Sequence, residues 1–318
     1  MTASSPRRPG MATPRTSRWA AVTALIAAGA LLLTGCGDQR DKVDGSVSGK
    51  GLFNKLPKSV QNAGVIKVGS DIAYPPVEFK KSGQTVGIDP DLADALGKEL
   101  GVRFEFANGT FDTLLTGLRS KRYDIAMSAM TDTKERQEGI DPEKGKKVSE
   151  GVDFVDYFQA GVSIYTRKGK TQSIRTWDDL CGKKIVVQRG TVSHDLAKDQ
   201  VKECQKNGNG KISIEAFDND VQAQTRLRAG GADAAASDFP VAAYAVKTSG
   251  GGSDFEIVGE QVDAAPYGIA IGKNNPELRD ALKAAFDAII KNGAYEKVLK
   301  KWGVEAGAVT EAKINGGS

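Results

Sequence analysis

The sequence predicts an α/β fold with parallel strands, and three patterns carry this prediction. Strand-like runs and amphipathic helices alternate between residues 65 and 127, and a second alternation runs from residue 184 to residue 236. Proline and glycine mark the helix boundaries in both regions. Parallel strands need helical crossovers, so repeated β-α-β units predict sheets covered by helices. A chain of 318 residues is long enough for two such domains.

The first alternation contains three strands and two helices. Residues 65–69, 103–106 and 123–127 are strand-like. Asp89 is predicted to cap a helix that Pro90 opens, in which Leu92, Leu96 and Leu100 form an apolar stripe. A second helix is predicted over residues 111–118. Ligands bind beyond the carboxyl ends of parallel strands, and polar segments 70–76, 108–111 and 128–136 follow those ends here.

The second alternation predicts strands at 184–187, 212–217 and 232–236 and helices at 193–205 and 220–229. Polar loops 188–193 and 237–240 follow two of these strands. Further strands are expected at 162–166, 255–258 and 267–271. The clearest helix follows Asn275 and Pro276, and a shorter helix, residues 295–302, ends the pattern. Residues 137–152 are predicted to form an exposed excursion.

The N-terminus has the features of a secretory signal. Four arginines precede an apolar run, residues 19–33, and residues 33–36 resemble a bacterial lipobox that ends in Cys36. Cleavage and acylation would leave Cys36 as a lipid anchor on the outer face of the cell membrane. A transmembrane anchor is the alternative interpretation of the run. Met1 and Met11 are both candidate starts.

The net charge of +4 comes from this leader. Of 44 lysines and arginines, Arg7, Arg8, Arg15 and Arg18 lie there without any acid, which leaves 40 against 40 Asp and Glu. The exported part is therefore neutral, and its composition does not favour nucleic-acid binding.

Two cysteines remain once Cys36 is acylated. Disulfides persist outside the cytoplasm, so we expect Cys181 and Cys204 to be bridged, with two separate buried thiols as the alternative. His194 is the sole histidine of the sequence, which argues against a metal site.

Residues 128–136, Ser-Ala-Met-Thr-Asp-Thr-Lys-Glu-Arg, form a candidate anion clamp at a helix start. Backbone N–H groups and the guanidinium of Arg136 suit a carboxylate. An ordinary capped surface helix gives the same pattern.

With these segments in order, the chain resembles the family 3 solute-binding proteins of ABC importers, such as the glutamine-, histidine- and lysine/arginine/ornithine-binding proteins. The resemblance runs from about residue 65 to residue 302. Its carriers are residues 68–79, 87–92, 123–131, Glu135, Arg136, 292–295 and 301–303.

This resemblance implies the type II periplasmic-binding-protein fold, in which two Rossmann-like lobes are joined by a two-strand hinge. The implied crossovers lie near residues 157–161 and 263–267. The domains are then a signal peptide (1–35), a flexible tether (36–61), a discontinuous lobe 1 (62–158 plus 265–305), lobe 2 (159–264) and a C-terminal tail (306–318).

The resemblance also implies the ligand contacts. Arg136 and Thr131, with the backbone of Ala129 and help from Thr191, would hold the α-carboxylate. Asp238 would hold the α-ammonium, and Ser128 would be a secondary polar contact. The expected side-chain contacts are Asp71, Tyr74, Phe111, Gln188 and Ser237.

Each assignment has a structural alternative. Asp71 and Asp238 are also suited to capping turns before proline, and Tyr74 and Phe111 to a core. Arg136 has Glu135 and Asp132 nearby as ion-pair partners. The chain departs from the family pattern at Gln188, Val192 and Ser237, where the glutamine-binding type has lysine, glycine and histidine.

The expected function is capture of a polar L-amino acid for a membrane permease and its ATPase, by a monomer without cofactor or metal. Asp71 and Glu78 favour a basic or amide side chain. The alternatives are a dehydratase-like or cell-wall enzyme on the same fold, and a sensory lipoprotein. Catalytic residues are not expected, because no Ser, Cys or His triad pattern is present.

Overall fold

The computed structural model describes residues 50–170 and 173–318. The predicted signal peptide, Cys36 and the first part of the predicted tether lie outside the described residues. Within the two described ranges, no helix is long and apolar enough to cross a membrane.

Helices and strands alternate along the described chain. The helices are α1 (Lys50–Phe53), α2 (Lys58–Ala63), α3 (Ile88–Leu100), α4 (Leu114–Arg119), α5 (Lys134–Glu138), α6 (Val192–Lys206), α7 (Asp220–Arg228), α8 (Phe239–Thr248), α9 (Pro276–Lys291) and α10 (Ala294–Trp302). The strands are β1 (Val65–Ser70), β2 (Ala73–Tyr74), β3 (Glu78–Lys81), β4 (Gln84–Val86), β5 (Arg103–Asn108), β6 (Ile125–Ala126), β7 (Ile140–Asp141), β8 (Lys146–Lys147), β9 (Val152–Arg167), β10 (Lys184–Gln188), β11 (Ser213–Phe217), β12 (Ala234–Asp238), β13 (Phe255–Gly272) and β14 (Lys313–Ile314).

One sheet runs through both halves of the molecule, in the order β11-β10-β12-β9-β13-β6-β1-β5, with β14 added to β9. Strand β1 is parallel to β5 and β6, and β10 is parallel to β11 and β12. The long antiparallel strands β9 and β13 join these two sets. This is the two-lobe, two-strand-hinge architecture expected from the sequence, and the fold class is confirmed.

The hinge strands are continuous where the sequence suggested separate shorter strands. Strand β9 covers both apolar runs of its region, and so does β13. The pairing of β13 with β9 is irregular between Val258 and Gly268, and Asp263 has a φ of 50°. Both expected crossovers lie within these strands, and the residue bounds of the lobes stay a prediction.

Each half has an apolar core of its own. The predicted stripes of α3 and α9 face each other in the first core, where Leu92, Leu96, Leu282 and Phe286 are fully buried. Burial of one such side chain stabilises the fold by about 1.5–3 kcal/mol. In the second core, Cys204 near the end of α6 forms a disulfide with Cys181, at a Cα–Cα distance of 5.6 Å.

The predicted cap of α3 is wrong. Gly87 is the N-cap residue, and Asp89 lies inside the first turn with its side chain fully buried. Its carboxylate accepts hydrogen bonds from the Tyr157 hydroxyl at 2.8 Å and from Ala129 N at 3.3 Å. Asp89 therefore joins the helix to the hinge strand and to the predicted clamp.

The predicted tether is wrong for its last twelve residues, 50–61. Helix α1 and most of α2 lie in this range, and Leu56 and Val60 are buried in the first core, against which Phe53 also packs. Phe53 ends α1, Leu56 lies between the helices and Val60 lies in α2, so no single periodic stripe marks this packing in a polar, glycine-containing segment.

The predicted C-terminal tail is packed rather than free. Strand β14 pairs with β9, and Ala312 is buried. Gly316 N donates to Asp156 Oδ2 at 2.9 Å, and Gly317 N donates to Asp132 Oδ2 at 2.8 Å. These residues therefore stabilise a hinge strand and the middle of the clamp segment.

The excursion at residues 137–152 is only partly exposed. Gln137 is buried, whereas the turn between β7 and β8 is exposed. Glu143 in this turn lies 2.7 Å from Lys198 of α6, so the excursion contacts the other half of the molecule. A three-stranded sheet, β2-β3-β4, was not predicted either.

Candidate functional site

The predicted site residues gather where parallel strands from both halves end. Asp71 directly follows β1, and Ser128 follows β6 by two residues, whereas Gln188 and Asp238 are the last residues of β10 and β12. The sheet topology therefore brings segments that are distant in sequence to the edges of one cleft. Hydrogen bonds between the two halves show that the cleft is closed in this structure.

Arg136 is held by carbonyl groups from both halves. Its Nη1 donates to Thr131 O at 2.7 Å, and its Nη2 donates to Gly190 O at 3.1 Å. Its Cζ lies 5.4 Å from the centre of the Phe111 ring, a cation–π distance. Burial lowers the pKa of Arg136 from its ordinary value, and the charges of Asp195 and Asp238 oppose this.

Within the described structure, Arg136 makes no ion pair with Glu135 or with Asp132. The carboxylate of Asp132 instead accepts hydrogen bonds from Gln137 and Gly317. The guanidinium is therefore a cation held by neutral groups. It retains its full charge for an anion that enters the cleft.

Asp238 is bonded to a tyrosine hydroxyl of the other half of the molecule. The Tyr74 hydroxyl donates to Asp238 Oδ2 at 2.9 Å. Tyr267 is close enough for the charge of Asp238 to raise its pKa, but its hydroxyl has no hydrogen-bond partner among the described residues. Burial raises the pKa of Asp238 to about 6, and the Tyr74 hydrogen bond and the charge of Arg136 limit the rise. A half-buried carboxylate of this kind favours a cationic partner.

Asp71 is bridged across the cleft by Gln188. The Gln188 amide donates to Asp71 Oδ2 and, at 3.3 Å, to Asp218 O. Burial raises the pKa of Asp71 to about 6, the Gln188 hydrogen bond lowers it, and the charge of Asp112 raises it further. Asp71 is therefore buried within the closed cleft and is not a solvent-exposed turn cap, and its contact with a ligand side chain stays a prediction.

Ser128 links Asp71 to the buried Glu78 through hydrogen bonds. Its hydroxyl accepts from Asp71 N at 3.1 Å and donates to Glu78 Oε1 at 2.6 Å. Glu78 is fully buried beside Asp89, and burial together with that second carboxyl raises the pKa of Glu78 well above its ordinary value. Burial therefore disfavours the charged form of Glu78, which makes it a poor partner for a basic ligand.

Two other predicted contacts, Thr191 and the backbone of Ala129, are already hydrogen-bonded within the protein, and a third, Ser237, is buried without a hydrogen-bond partner for its hydroxyl among the described residues. Thr191 is the N-cap of α6, and its hydroxyl donates to Gln188 O at 2.8 Å. The Ala129 N–H donates to Asp89, as described above. Ser237 is buried next to the Tyr165 hydroxyl on the core side of β12. Their predicted roles toward a ligand stay predictions.

The structure adds three residues that the sequence analysis missed: Gly190, Asp220 and Tyr267. Gly190 contacts Arg136 through its carbonyl, and a Cβ at this position would lie 2.9 Å from Asp112 Cβ in the other half. A pattern of strands and loops shows where polar residues follow a strand. It does not show which helix starts and hinge strands border the same cleft.

Comparisons with known proteins agree on one family. The sequence profile of the bacterial extracellular solute-binding proteins, family 3, matches residues 66–305. The arginine-binding protein ArgT of Corynebacterium glutamicum is 33% identical over 262 residues, which are 82% of this chain and 81% of that protein.

Solved structures agree with this result. An ancestral arginine-binding protein bound to arginine is 36% identical with a TM-score of 0.66, over 75% of this chain and 98% of that one. The ancestral amino acid-binding protein AncCDT-1, described as a precursor of cyclohexadienyl dehydratase, is 35% identical with a TM-score of 0.66, over 77% of this chain and 97% of that one.

Proposed function

Because the chain belongs to the bacterial extracellular solute-binding proteins, family 3, we propose that it captures a polar L-amino acid between its lobes and delivers it to the permease of an ABC importer. The solute-binding role follows from the family. The class of ligand and the delivery step are the parts proposed.

One observation carries the ligand class. Arg136 and Asp238 are opposite charges that face one closed cleft from different lobes, close enough for the Arg136 charge to lower the pKa of Asp238. An α-amino acid brings the complementary pair, a carboxylate for Arg136 and an ammonium for Asp238. Buried charges need such partners, so the ligand completes the site only when the lobes are closed.

The other end of the ligand meets Asp71, Gln188 and the ring of Tyr74. An acid and an amide across the cleft from each other suit a basic or amide side chain and disfavour an acidic one. The arginine-binding relatives described above support this part of the proposal.

Delivery follows from closure. A ligand that binds the closed form better than the open form shifts the equilibrium toward closure by that difference in affinity. A permease that recognises the closed form would then receive only loaded protein. The transport energy would come from the importer's ATPase, and no cofactor is required of this chain.

We place the protein on the outer face of the cell membrane through lipid on Cys36, which lies outside the described residues. The lipobox-like pattern supports this placement. Fractionation tests it: the native protein is expected in the membrane fraction, and Cys36→Ala should move it to the soluble extracytoplasmic fraction. An unchanged distribution would contradict the anchor.

We propose binding rather than catalysis, with the binding-protein relatives as support. The likeness to AncCDT-1 keeps one alternative open to test, because that binding protein is described as the precursor of a dehydratase. Incubation with the bound amino acid or with cyclohexadienyl acids should leave each of them unchanged, and product formation would overturn the proposal.

A thermal-shift screen tests the ligand class. The twenty amino acids, ornithine, citrulline and cystine are added separately, and a ligand that binds only the native state raises its melting temperature. We expect shifts with arginine, lysine, ornithine, histidine or glutamine. Shifts with glutamate or aspartate alone would refute the role of Asp71, and no shift with any ligand would refute amino-acid binding.

A further inference from the structure

A carboxylate that the proposed contacts leave unused lies beside the cleft. Asp220 is the first residue of α7, and its side chain is fully buried. Its Oδ2 accepts a hydrogen bond from Gln224 Nε2 at 2.6 Å. Its Oδ1 has no hydrogen-bond partner within the described part of the chain. A buried carboxylate with an unsatisfied oxygen is costly unless a ligand completes it.

Asp220 belongs to the cleft and not to a remote part of lobe 2. Helix α7 packs against β2, the strand of the other lobe that carries Tyr74. Asp220 is near enough to both Asp71 and Asp238 for their charges to raise its pKa, and it acts on Tyr74 in the same way. Asp71, Asp220 and Asp238, which come from two lobes, are therefore close enough to interact through their charges.

The groups described around Asp220 are neutral or acidic, so they do not neutralise a negative charge on its carboxylate. Tyr74 and Tyr165 are neutral at ordinary pH, because burial raises the pKa of each well above its usual value. Asp71 and Asp238 are acids, and Gln224 is a neutral donor. Burial and the two neighbouring acids raise the pKa of Asp220 to about 7, against the hydrogen bond from Gln224.

A zwitterion with a neutral side chain does not meet this need. Its carboxylate pairs with Arg136 and its ammonium with Asp238, which leaves Asp71 and Asp220 facing each other without a cation. A second positive charge on the ligand side chain would balance them. A compact metal ion is a poor match, because no group of three acidic, His or Cys side chains in residues 50–170 and 173–318 could hold one.

We propose that Asp220 is a specificity-determining residue, which with Asp71 selects amino acids whose side chain is an extended organic cation, such as a guanidinium or an alkylammonium. This inference rests on the proposed function. It assigns to lobe 2 part of the side-chain recognition that Asp71 supplies from lobe 1.

The test uses Asp220→Asn, which keeps the shape and removes the charge. The matched control is Asp199→Asn, which makes the same charge change in the same lobe, because the Asp199 side chain is 69% exposed and lies outside the proposed site. Each protein is titrated calorimetrically at pH 8 with L-arginine and with L-citrulline, its uncharged near-isostere.

We expect Asp220→Asn to weaken arginine binding at least about tenfold and citrulline binding less than about threefold, because only arginine presents the charge. Asp199→Asn should change neither by more than about threefold, since exposed charges are screened. Equal loss for both ligands, or unchanged arginine affinity, would overturn the role of Asp220.

A second measurement uses the unaltered protein, so it stands even if Asp220→Asn fails to fold. At pH 7, arginine titrated in two buffers of different ionisation enthalpy should show proton release, because the cation displaces the proton that Asp220 holds. Citrulline should release fewer protons, and equal release for both would overturn the proposal.

If the protein binds only neutral amino acids, this inference fails and the proposed function stands; if it binds none, both fail.

Discussion

The two ends of the cleft are built in opposite ways. At the arginine end, Arg136 is fixed by two backbone carbonyls, Thr131 O and Gly190 O, and has no carboxylate partner in the described chain. At the acidic end, Asp71 and Asp220 are buried carboxylates whose pKa values are raised by burial. A cation held by neutral groups would be stabilised by an anionic partner, and carboxylic acids with raised pKa values would be stabilised in their charged form by a cationic partner.

This difference separates two tasks. In the proposed function, the arginine end binds the carboxylate that all α-amino acids share and would define the ligand class. The acidic end would contact the side chain of the ligand, which varies, and would define the ligand's identity. Both ends combine groups from the two lobes, and both are therefore complete only when the cleft is closed.

Removal of Arg136 should have the largest effect. Arg136→Ala is expected to raise the Kd of every amino acid ligand at least about 100-fold, because a buried charged partner of the carboxylate is lost. Arg136→Lys should lose less, since it retains the charge without the planar fork. Arg119→Ala, an exposed arginine on α4, is the control and should bind normally in calorimetry. Tight binding by Arg136→Ala would disprove the clamp.

Gly190→Ala should oppose closure. The new Cβ would lie 2.9 Å from Asp112 Cβ of the other lobe, and φ is +76°. We expect about a tenfold or greater loss of affinity. Gly208→Ala is the matched control, because φ is +71° and no atom lies within 4 Å of the added Cβ. It should carry similar backbone strain, seen as a lower melting temperature, with unchanged affinity. Equal Kd values for the two variants would show that the lobes do not approach here.

The acidic end should make binding depend on pH. The pKa values of Asp71 and Asp238 are raised from 3.8 to about 6, so affinity for a cationic amino acid should increase several-fold as pH rises from 5 to 7.5. A pH-independent Kd over this range would contradict the assignment.

The same two groups should act on the ligand-free fold in the opposite direction. The pKa of these two carboxyl groups is 3.8 in the unfolded chain and about 6 in the folded protein. Between these pH values the two groups in the folded protein bind protons that the unfolded chain has released. Their contribution to the free energy of unfolding should therefore decrease between about pH 4 and pH 7. Thermal unfolding at a series of pH values measures it, with Asp71→Asn and Asp238→Asn as the variants that remove it.

The contact between Glu143 and Lys198 should have the smallest effect. It joins the lobes outside the cleft at 2.7 Å, but both side chains reach solvent. Because exposed ion pairs contribute little, Glu143→Gln should change ligand affinity less than about threefold. A larger loss, abolished by Lys198→Ala in a double-mutant cycle, would make the excursion part of the closing mechanism.

Much of the fold could be predicted because apolar spacing reflects local structure. The stripe Leu92, Leu96 and Leu100 and the helix that Pro276 opens follow directly from helical periodicity. The clamp segment could be located because a polar run follows a strand. The loops that carry Asp71 and Asp238 could be located for the same reason, whereas the choice of these two residues as ligand contacts came from the family resemblance and stays a prediction.

The remaining features depend on long-range contacts that periodicity does not report. Asp89 beside proline is typical of a cap, yet its carboxylate binds Tyr157, 68 residues away. Gly317 contacts Asp132 across 185 residues. Asp220 begins a predicted helix, and a helix start gives no information about which cleft its side chain borders.

One calorimetric series on the unaltered protein tests the division between the two ends most directly. L-arginine is compared with L-citrulline, which lacks the side-chain charge, and with agmatine, which lacks the carboxylate. We predict that citrulline binds at least about tenfold, and agmatine at least about 100-fold, more weakly than arginine. Agmatine bound as tightly as arginine would contradict the arginine end, and citrulline bound as tightly would contradict the acidic end.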